Sequence, residues 1–280
     1  MKVSFVVLIA YLAFVLSLFL NAKDYKFITG IVFTRQHQSK FNMPFSIQVD
    51  QKKIQFSTVY QPIIDLNSHE VLAMEVLSRS ESVICIESAL KQLSKKGKSR
   101  ELTLALINEV INESQLLPKS VRYLSMNITM EHMCMPELCD DLKDLTFSLH
   151  KRGVSLVVEM PEGEPHPMSD DVEGRTLIKN IKMLRGRGVL IAIDDYGKGF
   201  NVGEAIFDYL MPDILKIDKN VVQKPNENKN VWSSLLSIMS AQKIRIIAEG
   251  IENVQDLDFV RNVGIRFCQG YYFGRPTSLK

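Results

Sequence analysis

The sequence predicts an α/β fold whose strands close into a TIM-type (β/α)8 barrel. Short runs rich in Val, Ile and Leu alternate with segments of helical period from residue 53 onward. Strands that alternate with helices in this way are typical of a parallel sheet. Six of the apolar runs also end at an acidic or amide residue. An open doubly wound sheet binds ligands at one switch point, whereas a barrel collects them from many strand ends, so the six endings favour the barrel.

The predicted elements follow one another with recognisable boundaries. Asn67 and Ser68 form a turn between the first two strands, Pro118 ends one helix, and Gly188 follows another as a C-terminal glycine. The β-branched runs predict strands at 54–64, 71–75, 121–127, 154–159, 189–194, 213–218, 244–248 and from 265. Helical spacing predicts helices at 87–93, 102–116, around 136–151, at 173–187, up to 210, at 231–241 and at 254–263.

The first 22 residues differ in kind from the rest of the chain. Residues 3–20 carry no charge and are about long enough to cross a bilayer as one hydrophobic helix. We therefore expect a transmembrane anchor at 1–22, before the barrel. A cleaved signal peptide is the alternative, although Leu20 then occupies a position that favours a small residue. A buried helix is the third interpretation of this segment.

The remaining sequence divides into a connector at 23–50 and a barrel domain at 51–280. Lysines and an arginine follow the apolar segment, so the positive-inside tendency favours a barrel domain on the cytoplasmic side of the membrane. The four cysteines form no Cys-x-x-Cys pair and are expected to be reduced, although Cys134 and Cys139 could bridge in an oxidising compartment. A net charge of +2 does not predict a DNA or RNA duplex as partner.

The predicted strand ends carry hard oxygen ligands, which a barrel would bring to one rim. They are Glu75, Asn127, Glu159, Glu162, Asp194, Asp195, Asp218 and Glu249. Such oxygens suit Mg2+ and Mn2+, and two of these ions about 3.5–4 Å apart can clamp a phosphoryl transfer. Lys216 lies two residues before Asp218, so both point to the same face of a strand. A lysine there can orient water or neutralise developing charge.

Each of these residues also has an ordinary structural explanation. A single glutamate at a strand end is usually a helix cap or a surface residue. The pair Asp194-Asp195 before Tyr-Gly is more often a turn than a metal site. Glu159 and Glu162 lie among prolines and a glycine and could belong to a plain loop. The repetition of the pattern at successive strands is what favours a metal site.

Eight short motifs occur in order along the chain. They are Tyr60-Gln-Pro-Ile-Ile-Asp65, Glu75-Val-Leu-Ser-Arg79, Ser125-Met-Asn-Ile-Thr129, Glu159-Met-Pro-Glu162, Asp194-Asp-Tyr-Gly-Lys-Gly-Phe200, Lys216-Ile-Asp218, Ala248-Glu-Gly-Ile-Glu252 and Gln269-Gly-Tyr-Tyr-Phe273. Any one motif is weak, but the ordered series resembles the EAL domain of bacterial cyclic di-GMP phosphodiesterases. The resemblance covers about 56–276 and none of the first 50 residues.

The resemblance implies an EAL-like barrel, usually dimeric, that hydrolyses cyclic di-GMP to linear pGpG with two Mg2+ or Mn2+ ions. It implies that Lys216, Glu249 and Glu162 serve catalysis, with Lys216 acting on the nucleophilic water and Glu162 bracing the loop after Asp194. The implied metal ligands are Glu75, Asn127, Glu159, Asp194, Asp195 and Glu249. The implied substrate contacts are Gln61, Glu75, Leu77, Arg79, Asp218, Glu252 and Gln269.

Departures from the family pattern keep a second function open. Lys198 stands where the family has threonine, Asn201-Val-Gly replaces a Ser-Ser-Leu-like stretch, and the segment 80–100 is short. An active phosphodiesterase is the leading hypothesis. A catalytically weak or inactive regulator that binds cyclic di-GMP or a protein partner is the alternative, and another metal-dependent phosphoesterase is the third.

Overall fold

The fold is a closed sheet with a further strand at one edge and helices on its outer face. The protein is described by a computed structural model that covers residues 44–49, 52–80, 86–168, 170–241 and 244–279. The strands are β1 Phe45–Val49, β2 Lys52–Asp65, β3 Glu70–Ser80, β4 Tyr123–Asn127, β5 Ser155–Met160, β6 Leu190–Tyr196, β7 Ile214–Ile217, β8 Arg245–Ala248 and β9 Phe267–Gln269. The helices are α1 Ile86–Lys95, α2 Ser99–Glu113, α3 Met130–Met133, α4 Leu138–Asp141, α5 Lys143–His150, α6 Val172–Gly186, α7 Ala205–Leu210, α8 Lys219–Gln223, α9 Lys229–Ala241 and α10 Val254–Asn262.

The two pairings of β2 close the sheet into a barrel. β2 is hydrogen-bonded to β3 on one side and to β9 on the other, so strands β2 to β9 form a ring of eight. From β3 to β9, each strand is parallel to the next. This closure confirms the predicted TIM-type barrel and excludes the open doubly wound sheet.

β2 runs antiparallel to both of its neighbours, which is a departure from the alternating strand–helix pattern. Only residues 66–69 connect β2 to β3, and His69 takes a left-handed φ of 59° there. A connection this short can reverse the chain but cannot carry it across to start a parallel strand. The side chains of β2 therefore reach the rim from a strand of opposite direction.

Apolar side chains form two layers around the strands. A small inner cluster fills the barrel and consists of Ile63, Ala73, Val157, Ala192, Ile214 and Ile247. A larger core lies between the outer face of the sheet and the helices, where Leu124 and Leu215 on strands and Leu177 and Leu235 on helices are fully buried. Each such leucine stabilises the fold by about 1.5–3 kcal/mol. The inner cluster supports the polar layer described below.

Three details differ from the predicted elements. Residues 45–49, placed in the connector, pair with β2 as strand β1. The single helix predicted around 136–151 is divided into α4 and α5, after a turn that contains Pro136. Helix α8 begins directly after Asp218, whose side chain accepts a hydrogen bond from the Asn220 backbone N–H at 2.8 Å and so caps the helix.

The hydrophobic helix predicted at 1–22 lies outside the described residues. Among the described residues, no helix combines the length and the apolar character needed to cross a membrane. Cys134, Cys139 and Cys268 are free thiols in the described part of the chain, so the bridge between Cys134 and Cys139 is not formed.

Candidate active site

A polar layer lies directly above the inner apolar cluster of the barrel. Ala73, Val157, Ala192, Ile214 and Ile247 each stand two residues before a polar residue. These polar residues are Glu75, Glu159, Asp194, Lys216 and Glu249. Side chains along a strand alternate with a period of two, so each polar residue continues the interior row toward the carboxyl ends of the parallel strands. The structure thus brings these five side chains together.

Lys216 is the centre of this layer. Its Nζ lies 2.7 Å from Asp194 Oδ1, 2.8 Å from Glu249 Oε1, 3.0 Å from Glu159 Oε2 and 3.5 Å from Glu75 Oε1. The side chain is only 1% exposed. Burial lowers the pKa of Lys216, but the four carboxylates outweigh it and hold the pKa well above its usual value. In the metal-free site, Lys216 is therefore the cationic partner of these four carboxylates.

The carboxylates form two groups that share Asp194. In each group, one oxygen from every member lies within 4.8 Å of the others: Glu75 with Glu159 and Asp194, and Asp194 with Asp195 and Glu249. Burial, together with the neighbouring carboxylates, raises the pKa of Glu159 and of Glu249 well above the usual value, although Lys216 opposes the shift. The acids outnumber the lysines that contact them. This donor set fits divalent cations, which prefer several oxygen ligands.

A β-bulge allows the consecutive residues Asp194 and Asp195 to serve the same rim. Neighbouring residues of a regular strand point to opposite faces. In β6 the pairing register shifts between Ile193 and Tyr196, and Asp195 takes a left-handed φ of 46°. A bulge re-aims a side chain in this way. Burial and the charge of Asp194 raise the pKa of Asp195.

The loop after β6 is docked onto Glu162. The backbone carbonyl of Glu162 accepts a hydrogen bond from the Phe200 N–H at 2.9 Å. Gly199 has a φ of 54°, and a Cβ there would lie 2.2 Å from that carbonyl oxygen, so glycine permits the contact. Lys198 Nζ lies 2.6 Å from Glu162 Oε1 and 2.9 Å from Asp195 Oδ2. Glu162 is thus placed where it can brace this loop.

Asn201 is a structural member of the site that sequence reasoning did not assign. Its Nδ2 donates to the Met160 carbonyl at 3.1 Å and to the Asp194 carbonyl at 2.6 Å. Its Oδ1 lies 2.8 Å from His166 Nε2. The side chain is fully buried and ties the ends of β5 and β6 together. The sequence carries no signal for this role, because the contacts join distant backbone atoms.

Three amide side chains surround the carboxylates. Asn127 Nδ2 lies 3.2 Å from Glu159 Oε2 and 3.4 Å from Glu75 Oε1. Gln269 Nε2 donates to Glu75 Oε2 at 2.6 Å, and its Oε1 is buried without a partner among the described residues. Gln61 pairs with Glu75 in the sheet register and donates to a backbone carbonyl, that of Gly274, at 3.2 Å. The predicted amides therefore do lie at the rim.

Other predicted site residues lie outside the carboxylate groups. Asp218 is buried and its carboxylate caps α8. Glu252 forms an exposed ion pair with Lys219 at 2.6 Å. Leu77 and Arg79 follow Glu75 on the same face of β3, so they rise past the rim of the barrel. These four residues surround the centre of the site without joining it.

The comparison with protein families agrees with this geometry. The protein-family model described as "EAL domain" matches residues 46–276 of this chain. That match covers most of the 280 residues, and the chain belongs to the EAL domain family.

Relatives and solved structures add named examples. The chain is 27% identical over 229 residues to the protein named "Probable cyclic di-GMP phosphodiesterase PdeG" of Escherichia coli (strain K12), covering 78% of this chain and 44% of that protein. Bd1971, an EAL enzyme solved in a form with cAMP and cyclic di-GMP bound, matches with a TM-score of 0.66 at 26% identity, over 80% of this chain and 62% of that one. Klebsiella pneumoniae BlrP1, solved as a manganese/cy-diGMP complex, matches with a TM-score of 0.63 at 24% identity, over 84% of this chain and 59% of that one, which shows the shared fold. The chain spans less than half the length of PdeG.

Proposed function

We propose that this chain is a phosphodiesterase that hydrolyses cyclic di-GMP to linear pGpG. The observation that carries the proposal is the convergence of two carboxylate groups on the buried ammonium of Lys216, at the rim of an EAL barrel. The name of PdeG and the cyclic di-GMP-bound form of Bd1971 support the choice of substrate.

Two Mg2+ or Mn2+ ions fit the donor set of the site. Glu75, Glu159 and Asp194, with Asn127 beside them, would hold the first ion. Asp194, Asp195 and Glu249 would hold the second ion. When bound, such ions supply an activated water and neutralise charge on a phosphodiester.

Lys216 has a role of its own in this proposal. Its Nζ lies within 3.0 Å of Glu159, Asp194 and Glu249, so it acts as a hydrogen-bond donor and a positive charge among the proposed ligands. It keeps Glu159, Asp194 and Glu249 oriented toward one point and can donate to the attacking water. Glu162 would keep the loop that carries Asp195 in place.

The rim beyond the carboxylates suits a cyclic dinucleotide. Arg79 is exposed and stands four residues beyond Glu75 on the same face of β3, which is about 13 Å along a strand. From that position on the strand, the long Arg79 side chain can bind one phosphate while the carboxylates act on the other phosphodiester. Gln269, through its unpartnered carbonyl, and Gln61 would contact the substrate below it. Leu77, Asp218 and Glu252 would line the same rim.

The test compares two buried glutamates. Glu75→Gln changes a carboxylate of the site, and turnover of cyclic di-GMP to pGpG with Mn2+ should fall by at least about a hundredfold. Glu113→Gln is the matched control, because Glu113 is equally buried but bonds only to Thr58 and Tyr60 among the described residues. It should retain turnover. Absence of turnover in the unaltered chain with Mg2+ and with Mn2+ would overturn the proposal.

A regulator that binds cyclic di-GMP or a protein partner without hydrolysis is the second candidate. The observation that favours it is the contact of Lys198 with Asp195, since this carboxylate is one of the proposed ligands. Calorimetry with cyclic di-GMP separates the two functions. Tight binding together with no pGpG would favour the regulator.

We also propose that residues 1–22 anchor the protein in the bacterial inner membrane, with the barrel in the cytoplasm. The uncharged run at 3–20 supports this proposal. Cell fractionation tests the membrane anchor, which recovery of the chain in the soluble fraction would contradict.

A homodimer formed through the barrel is supported by the exposed apolar side chains of Phe200, Val202 and Met211 in the β6–β7 connection. Light scattering in detergent tests the homodimer, which a monomeric chain would contradict.

A further inference from the structure

A second ammonium ion lies at the rim of the site, in addition to the buried Lys216. Lys198 Nζ is 2.9 Å from Asp195 Oδ2 and 2.6 Å from Glu162 Oε1. Asp195 belongs to the carboxylate group that includes Asp194 and Glu249. Among the described residues, Lys198 forms ion pairs with Asp195 and Glu162, so it pairs with a member of one carboxylate group and with none of Glu75, Glu159 and Asp194.

We infer that Lys198 is a built-in competitor of a divalent cation at Asp194, Asp195 and Glu249, and that it sets the affinity of that position. This inference rests on the proposed function, since it concerns the second of the two cations proposed there. The ammonium occupies one oxygen of Asp195 and repels another positive charge placed beside it. The two ion pairs must be broken or weakened when a cation binds.

The two lysines differ in their freedom to move. The Lys216 side chain is 1% exposed and is enclosed by carboxylates, whereas the Lys198 side chain is 50% exposed. A long, half-exposed lysine can withdraw into water at a modest cost. Partial burial lowers the pKa of Lys198, but its bonds to Glu162 and Asp195 outweigh burial and raise the pKa, so the competing charge is present at neutral pH.

The loop that carries Lys198 is held by contacts independent of the ammonium. The Phe200 N–H donates to the Glu162 carbonyl at 2.9 Å. The Asn201 side chain donates to the carbonyls of Met160 and Asp194. Removal of the Lys198 charge should therefore leave Asp195 in place and change the affinity for the cation.

The experiment is a titration of the full 280-residue chain in detergent with Mn2+, in which the free ion is followed by electron paramagnetic resonance. Lys198→Met removes the charge and keeps the length, Lys198→Gln is a second neutral variant, and Lys198→Arg keeps the charge. Lys98→Met is the matched control, because Lys98 also pairs with a carboxylate three residues away, Glu101, at 2.7 Å.

Both neutral variants should bind the second equivalent of Mn2+ about tenfold more tightly, which corresponds to about 1.4 kcal/mol. The first equivalent should change by less than about twofold, because Lys198 does not contact its ligands. The arginine variant and the Lys98→Met control should match the unaltered chain.

Unchanged or weaker binding of the second equivalent in both neutral variants would overturn the inference, and so would binding of fewer than two Mn2+ ions. Hydrolysis of cyclic di-GMP is measured on the same samples. If the Mn2+ shift occurs while no sample cleaves cyclic di-GMP, the phosphodiesterase proposal fails and the role of Lys198 stands.

Discussion

Replacement of Lys216 by methionine tests the electrostatic balance of the site. Methionine has a similar length but no charge, so the cavity stays filled while the ammonium is lost. Four carboxylate oxygens at 2.7, 2.8, 3.0 and 3.5 Å from Nζ then lose this cation. In the absence of metal, we expect the variant to fold with markedly lower stability.

The magnitude follows from burial and contact. Removal of one partner from a buried ion pair typically costs about 3–5 kcal/mol, because the remaining charge is uncompensated. Lys216 and Glu159 are each 1% exposed, so solvent screening is small. In a domain of this size, 1 kcal/mol shifts Tm by about 2–4 °C. The expected loss is therefore about 6–20 °C near pH 7.5.

The loss should depend on pH in a defined direction. Burial raises the folded-state pKa of Glu159 and Glu249 above the unfolded value, and Lys216 opposes that shift. A carboxyl group with a raised folded pKa stabilises the fold below its unfolded pKa, and this contribution is lost as pH rises through the folded pKa. Without Lys216 the raised values rise further, so the Tm difference between variant and unaltered chain should be smaller near pH 5 than near pH 8.

The assay is thermal unfolding followed by circular dichroism, with the full chain in detergent and a chelator present. Lys98→Met serves as control, since this exposed pair should contribute less than about 1 kcal/mol. If Lys216→Met melts within about 2 °C of the unaltered chain near pH 8, the four carboxylates do not depend on Lys216, and the reasoning is refuted.

Three other predictions follow from local geometry and charge. Gly199→Ala should destabilise the fold by about 1–3 kcal/mol in urea titrations, because its Cβ would meet the Glu162 carbonyl at 2.2 Å in a left-handed backbone. Gly203→Ala, also at positive φ but with nothing within 4 Å, should cost less, and equal costs would contradict the role of the contact. Asn201→Ala should lower the free energy of unfolding by about 1–3 kcal/mol in the same urea titrations, because two backbone carbonyls lose their donor. An unchanged urea midpoint would contradict this role of Asn201. The rise in Tm on adding Mn2+ should grow from pH 5.5 to pH 8, because the cation needs ionised carboxylates whose pKa is raised, and a gain independent of pH would argue against carboxylate ligation.

The interior row of the barrel could be predicted from the sequence because it depends on local periodicity. Glu75, Glu159 and Asp194 follow apolar runs, and strand alternation together with barrel geometry sends them to one rim. Asp218 satisfies the same rule, yet its carboxylate caps α8 instead. The difference arises because α8 starts at the next residue, and its unpaired N–H groups compete for the carboxylate.

Local sequence patterns could not predict the reversed direction of β2 or the docking of the loop that follows β6. Barrel closure needs β2 to meet β9, about two hundred residues later in the chain, as the pair Ile63 and Gln269 shows. Asn201 joins backbone atoms of two strands, which no residue spacing encodes. Such contacts appear only when the chain is assembled.

The amino-acid sequence by itself determined the class of fold, the order of the strands and the oxygen and lysine side chains that meet at the rim, because each depends on a short-range period. Tertiary structure decided how their charges are shared. It set Lys216 among four carboxylates and Lys198 between Asp195 and Glu162. Coulomb interactions fall with distance and strengthen with burial, and both quantities exist only in the folded chain.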